Sequence, residues 1–245
     1  LKSALPPLAA GIPQRTGYRG EYRYGLLNDL RRLDPQRLVL TVERFLALGL
    51  EADEALPDDW PRPRLLANPA GQQATLARLE LSMPTTPLLG LCPGAEFGPA
   101  KRWPVDHFAA VARRWQDEGG AVWLFGSPRD AELGAAIASA VPGALNLAGR
   151  TRLTEAVDLL ALADAVLSND SGLMHVAAAL SRPLVALFGS SSSEHTPPLG
   201  QRQAILSRDL PCRPCFQREC PLEHLRCLTE ITPGQVWTAL AGLRP

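Results

Sequence analysis

Several things are scarce in this 245-residue chain, and each shortage excludes something. An excess of charge of one sign is absent: 25 Lys and Arg balance 25 Asp and Glu, for a formal net charge of zero. Bulk charge therefore gives no footprint for nucleic acid or for an acidic partner. Long apolar runs are missing too. The best, around Val176–Phe188, is broken by Arg182 and Pro183, and a helix needs roughly 20 apolar residues to span a bilayer. No transmembrane segment is expected. No G-x-G-x-x-G follows an apolar run, which argues against a dinucleotide oxidoreductase. No G-x-x-x-x-G-K-[ST] is present, which argues against a P-loop nucleotidase. No Asp-x-Asp pair stands ready to hold Mg²⁺ against a diphosphate. No signal peptide is visible, but the chain starts at Leu1, not Met, so its start says little about targeting.

What is present is an ordered composition, 46% apolar and without low-complexity tracts, long enough for one large or two small cored domains. Its texture changes along its length. From Leu1 to about Met83 it is rich in Arg and Pro, with one strong helical pattern at Pro35–Leu50. There Leu38, Val42, Phe45, Leu46 and Gly49 fall at steps of three and four, after Asp34 as cap and Pro35 as first residue. Pro57–Pro69 reads as an irregular linker. From about Thr85 a regular alternation sets in. Short apolar runs at Leu88–Cys92, Ala121–Phe125, Leu145–Leu147, Ala165–Leu167, Leu184–Phe188 and Ala204–Leu206 alternate with helical patterns. The helical patterns are Val105–Glu118, Asp130–Val141, Leu153–Leu162, Gly172–Leu180 and Pro233–Leu243. This predicts an α/β fold with a Rossmann-like parallel sheet.

Ligands of such sheets bind beyond the carboxyl ends of the strands. The residues to inspect are therefore Pro93–Lys101, Gly126–Asp130, Ser168–His175 and Gly189–Thr196. In SNDSGLMHVAAAL, Ser168 to Leu180, the stripe Leu173, Val176, Ala177 and Leu180 faces the sheet, and His175 lies off it. Asp170 or Ser171 can cap this helix, whose first free N–H groups and positive dipole end then face the ligand edge. Gly172 would admit an anion closely. Two readings stand side by side: a phosphate cradle, or an ordinary capped helix with a surface histidine. In CPGAEFGPAKRWP, Cys92 to Pro104, Pro93-Gly94 and Gly98-Pro99 make two tight bends and then present Lys101. A lysine there can reach a diphosphate held by the facing helix end and neutralise it without a metal. A solvated surface lysine is the plainer alternative. Trp103-Pro104 reads as packing at a helix start.

Taken in order, CPGAEFGPAKRWP, LFGSPRD, NLAGRTRL, SNDSGLMHVAAALSRPLVALFG and TPPLG resemble glycosyltransferase family 9. The upstream KSALPPLAAGIPQRTGYRGEYRYGLLND adds to the likeness, which covers most of the chain. The resemblance implies a GT-B architecture. Residues 84–245 would be a complete Rossmann-like domain holding ADP-heptose. Residues 1–83 would be the remnant of an incomplete Rossmann-like acceptor domain, with its linker. It implies inverting, cofactor-free transfer of heptose to the heptose of the lipopolysaccharide inner core, in the cytoplasm or peripherally at the inner face of the inner membrane. By that likeness Lys101 and the backbone of Ser171, Gly172 and Leu173 contact the diphosphate. Asp170 holds heptose hydroxyls, His175 lies near the phosphates, and Glu96, Phe97, Ser127 and Asp130 line the nucleotide pocket. The family's first strand and the loop bearing its presumed Asp base find no counterpart here. The chain is thus expected to hold the donor site without the base, with apolar surface exposed in residues 1–83. Arg15, Arg19 and Arg23 in that region read as solvated arginines, with contact to a phosphorylated acceptor as the functional alternative.

Four of the five cysteines fall in CRPCFQRECPLEHLRC. Cys212, Cys215, Cys220 and Cys227 have C-x2-C-x4-C-x6-C spacing, a candidate structural zinc or iron–sulfur site with four reduced thiols as the alternative. The cluster looks unlike a secreted disulfide framework and points to a reducing compartment. It also raises a rival class, a zinc-knuckle binding module, against which stand the zero net charge and the absence of a basic, aromatic surface. Another sugar-nucleotide transferase or an epimerase on the same fold is the rival within the enzyme class.

Overall fold

The computed structural model describes residues 2–52 and 54–243. They divide into two units, Leu1–Pro61 with Glu194–Pro197, and Arg62–Ser193 with Pro198–Pro245.

The first unit is lightly built. It holds α1 (Leu5–Ala9), β1 (Thr16–Tyr18), β2 (Asp29–Arg31) and α2 (Thr41–Leu48). β1 and β2 pair in parallel, Thr16 opposite Asp29. Arg31 ties this ribbon together: it pairs with Asp29 at 2.8 Å and donates to the carbonyls of Ala47 and Leu50. Leu5, Ile12, Tyr22, Tyr24 and Phe45 are exposed, Phe45 at 70%. The helix predicted over Pro35–Leu50 is shorter than its pattern. Asp34 Oδ1 accepts the N–H groups of Gln36 and Arg37, at 2.9 and 3.2 Å, which closes a separate turn. The helix proper starts only at Thr41, where the Glu43 carboxylate accepts the N–H of Leu40 at 2.8 Å.

The second unit begins with α3 (Pro69–Arg78), which the sequence pattern did not reveal. PAGQQATLAR has too few apolar residues to show a stripe, and tertiary contacts hold it. The Asn68 side chain caps its N-terminus, and Asp158 accepts the Asn68 N–H at 2.7 Å. The predicted strands and helices follow: β3 (Leu88–Cys92), α4 (Val105–Asp117), β4 (Ala121–Leu124), α5 (Ala131–Ala140), β5 (Leu145–Asn146), α6 (Leu153–Leu160), β6 (Ala165–Asn169), α7 (Gly172–Ala179), β7 (Leu184–Phe188), β8 (Gln203–Ser207), then α8 (Arg226–Thr229), a short helix that the sequence pattern did not reveal, and α9 (Pro233–Leu243).

Six strands make one sheet in the order β5-β4-β3-β6-β7-β8, every neighbouring pair parallel. Side chains alternate across it as the two-residue period requires. Leu89, Leu91, Leu167, Val185 and Leu187 join a core with α4 and α9, while Leu88, Cys92, Val166, Ala186 and Phe188 join a core with α3, α6 and α7. Both faces are covered, so β3, β6 and β7 are buried at every position, and β3 and β7 read as unbroken apolar runs. Each fully buried Leu or Phe contributes on the order of 1.5–3 kcal/mol. The strand order reverses between β3 and β6, which puts the crevice between their carboxyl ends at the topological switch point.

Candidate functional site

Cys92 ends β3 and Asn169 ends β6, so the loops Pro93–Lys101 and Asp170–Gly172 leave the sheet side by side. Asn169, fully buried, stitches them: its Nδ2 donates to Pro93 O at 2.6 Å, and its Oδ1 accepts from Trp103 N at 3.2 Å. After Gly94 the first loop turns tightly against its neighbours. A Cβ at Gly94 would lie 2.5 Å from the Asp130 carboxylate, and one at Gly98 would lie 2.4 Å from Arg218 O. Pro99–Lys101 then forms one 3-10 turn that delivers the lysine. Trp103 packs at 1% exposure with its Nε1 on Ile231 O, a structural anchor as the sequence suggested.

Lys101 Nζ reaches Asp170 Oδ2 at 2.5 Å and lies 5.1 Å from the centre of the Phe97 ring. The same carboxylate oxygen accepts from Ser191 Oγ at 2.5 Å. Asp170 is 8% exposed, so its charge is held by a cation and a hydroxyl rather than by water.

The start of α7 differs from expectation in an informative way. Ser171 has the extended backbone of an N-cap, yet no side-chain cap bond forms. Its hydroxyl lies 3.3 Å from Ser168 Oγ, while Asp170 is turned to Lys101. The first-turn N–H groups of Gly172 and Leu173 therefore keep their capacity for an anion. Beside them opens a cavity of about 450 Å³, lined among others by Glu96, Ser127, Asp130, Ser171, Gly172 and Leu173. A cavity of this size suits a small organic ligand. Thr151 and Leu153, which the sequence reading passed over, also line it. Leu153 is 69% exposed for a large apolar residue.

Not every predicted residue is free to meet a ligand. Asp130 Oδ2 accepts both the N–H and the hydroxyl of Ser127, at 2.9 and 2.7 Å, which fixes the loop after β4. Glu96 pairs with Arg129 at 2.5 Å, both well exposed. The Phe97 ring lies within 5.1 Å of the Lys101 ammonium and 5.6 Å of the Arg218 guanidinium. His175 has an exposed surface but is flanked closely by protein. That partial loss of water lowers its pKa below the ordinary 6.5, the Asp170 carboxylate opposes the shift and Lys101 adds to it. Arg15, Arg19 and Arg23 are engaged within their own segment. Arg15 and Arg23 donate to backbone carbonyls, and Arg19 lies beside Tyr24.

The zinc or iron–sulfur reading of the cysteines finds no assembled ligand set. Cys212, Cys215, Cys220 and Cys227 line one small cavity of about 20 Å³ with His224. All are free thiols, and among the described residues no group of three or more His, Cys, Asp or Glu is arranged to hold a metal ion. Cys227 belongs to the apolar core beside Leu228. Burial raises its pKa, whereas backbone N–H groups, first that of Leu225 and then those of Leu222, His224 and Glu223, lower that of Cys220. Among the described residues no helix is long and apolar enough to cross a membrane.

Comparison with known proteins agrees with this geometry. The family model described as glycosyltransferase family 9 (heptosyltransferase) matches residues 1–226. Lipopolysaccharide heptosyltransferase 2 of Escherichia coli K12 is 44% identical over 252 residues, covering 99% of this chain and 72% of that protein. Lipooligosaccharide heptosyltransferase 2 of Haemophilus influenzae is 48% identical over 218 residues, covering 84% of this chain and 62% of that protein. The solved structure of E. coli ADP-heptose lps heptosyltransferase II superposes with a TM-score of 0.88 at 45% identity, over 99% of this chain and 73% of that one.

Proposed function

The chain belongs to glycosyltransferase family 9, the heptosyltransferases, and we propose that its second unit holds ADP-heptose for transfer to a heptose of the lipopolysaccharide inner core. Donor binding is assigned to residues 84–245 and acceptor binding to residues 1–83, with the acceptor met at the inner face of the membrane. One observation carries the reading. A Lys101–Asp170 pair stands at the switch point of a doubly wound sheet, facing a helix start that no side chain caps.

In this reading the diphosphate takes the N–H groups of Ser171, Gly172 and Leu173. The nucleoside occupies the cavity bounded by Glu96, Ser127 and Asp130, with Phe97 at its mouth. Lys101 shifts from Asp170 toward the phosphates as the sugar arrives, and Asp170 is freed to accept heptose hydroxyls. His175 stays near the phosphates. An acceptor hydroxyl attacks the anomeric carbon from the face opposite the leaving group. The bond to ADP breaks with inversion, and the charge that develops on ADP is stabilised by Lys101 and the helix N–H groups. A base must take the acceptor proton, and none of these donor-site residues is assigned that task. No step runs through a metal.

The experiment is direct. The chain is incubated with ADP-heptose and a deacylated inner-core acceptor that ends in heptose, and the product is analysed by mass spectrometry. Binding of ADP and of ADP-heptose is the expected result; gain of one heptose with release of ADP would show in addition that the chain supplies its own base. Preference for UDP and a UDP-sugar would favour another transferase or an epimerase and sink the heptose reading.

A further inference from the structure

We propose that Arg213 is a positioning residue for the donor site, acting through Ser191 to hold Asp170 and Lys101 in place. The proposal rests on the reading of those two residues as donor contacts. Arg213 lies between Cys212 and Pro214 in the cysteine-rich loop and lines the small cysteine cavity, not the donor cavity. It could touch the donor only through intermediaries, and the intermediaries are explicit.

Each nitrogen of its guanidinium donates to a backbone carbonyl. Nε donates to Gly189 O at 2.6 Å, Nη2 to Ser191 O at 2.9 Å, and Nη1 to Arg208 O at 2.7 Å. Gly189 and Ser191 bracket the turn by which the chain leaves β7. One planar cation thus grips both ends of that turn and ties it to the segment after β8. The side chain of the gripped Ser191 is the one that donates to Asp170 Oδ2, the oxygen Lys101 also uses. Moving the turn would move that hydroxyl, and with it the carboxylate that orients the lysine.

The rest of the loop supports the same wall. Phe216 N donates to Ser190 O at 2.8 Å, and Ala100 N donates to Arg218 O at 3.0 Å. Gly189 allows close packing, since a Cβ there would stand 2.8 Å from Ala100 O. The stretch Arg213–Arg218 therefore backs both the β7 turn and the turn that carries Lys101. Three carbonyls in fixed directions call for a planar fork of donors. A lysine keeps the charge but presents a single ammonium that cannot serve all three.

The test uses the full chain with Arg213→Lys, Ser191→Ala and the double variant. Affinities for ADP and ADP-heptose are read by calorimetry, beside the melting temperature without ligand. Each single change should weaken ADP-heptose binding about tenfold, the loss of one hydrogen bond to a charged group, and leave the melting temperature close to that of the wild type. The double variant should be little worse than either single one, because both act on the same carboxylate. Two results overturn the proposal: effects that multiply in the double variant, or a lower melting temperature with unchanged donor affinity. If Arg213→Lys fails to fold, Ser191→Ala alone decides, and unchanged donor affinity in it overturns the link. A wild-type chain that does not bind ADP overturns the donor-site reading and this proposal with it. A wild-type chain that binds ADP while the cycle is additive overturns only the role of Arg213.

Discussion

Gly172 is the position where protein and ligand make opposite demands. It opens α7 and lines the cavity, and a Cβ built on it meets no heavy atom within 4 Å. Gly172→Leu should therefore strain nothing inside the protein. Replacing a helical glycine by a better helix former gains about 0.5–1 kcal/mol, so the melting temperature of the unliganded protein should hold or rise slightly. The ligand sees the reverse. A leucine side chain would occupy the space in front of the first-turn N–H groups. Losing two charge-assisted hydrogen bonds at about 1.5–3 kcal/mol each amounts to roughly 3–6 kcal/mol. That weakens ADP binding from about a hundredfold to beyond ten thousandfold. Calorimetric titration with ADP, run beside thermal melting without ligand, separates the two effects. Gly172→Ala should fall between wild type and leucine. Wild-type affinity for ADP in Gly172→Leu would refute the phosphate cradle. A large drop in melting temperature would show instead that the glycine serves the fold.

Lys101→Met should weaken ADP binding about 10–100-fold, the loss of one charge-assisted contact to the diphosphate; wild-type ADP affinity by calorimetry would remove Lys101 from the donor site. The lowered pKa of His175 makes a prediction about acid. The unfolded chain binds the proton more tightly than the folded one, so this histidine costs no stability above pH 6.5 and costs progressively more as pH falls below it. His175→Gln should therefore lose part of the fall in melting temperature between pH 7.5 and about 5.5; an unchanged pH profile would contradict the assignment. The effect should be small, because the residue is exposed. Among the thiols, Cys220 should be alkylated by iodoacetamide before Cys212 and Cys215, since amide N–H groups stabilise its thiolate. Cys92, buried at 1% exposure with its pKa pushed up by burial and then by Asp130, should react only on unfolding. Peptide mapping by mass spectrometry reads the order, and early loss of Cys92 would contradict it.

The sheet was legible because its inner strands β4, β3, β6 and β7 are buried on both faces and are followed closely by Gly, Pro-Gly or Asp. Apolar runs and their stops survive without any knowledge of partners. The first-unit helix was overcalled because Asp34 spends its side chain on a local turn, a competition that periodicity does not register. α3 was hidden because Asn68 and Asp158 hold it across the chain rather than a stripe along it. At the site, Lys101, Asp170 and Gly172 followed from their places at strand ends. Ser191 lay in a flagged segment, but nothing local marks which of its serines meets a carboxylate 21 residues away. Arg213 was obscured by the cysteines around it, and its partners belong to other turns. The metal reading of those cysteines came from spacing alone, and spacing does not say where sulfurs point.

The central claim is that the crevice between β3 and β6 is an ADP-specific donor site. Titrating the wild-type chain with ADP, UDP and GDP under one set of conditions tests it most directly. The account predicts one equivalent of ADP bound, clearly more tightly than UDP or GDP, with binding lost in Gly172→Leu. No detectable ADP binding, or tighter binding of UDP, would contradict it.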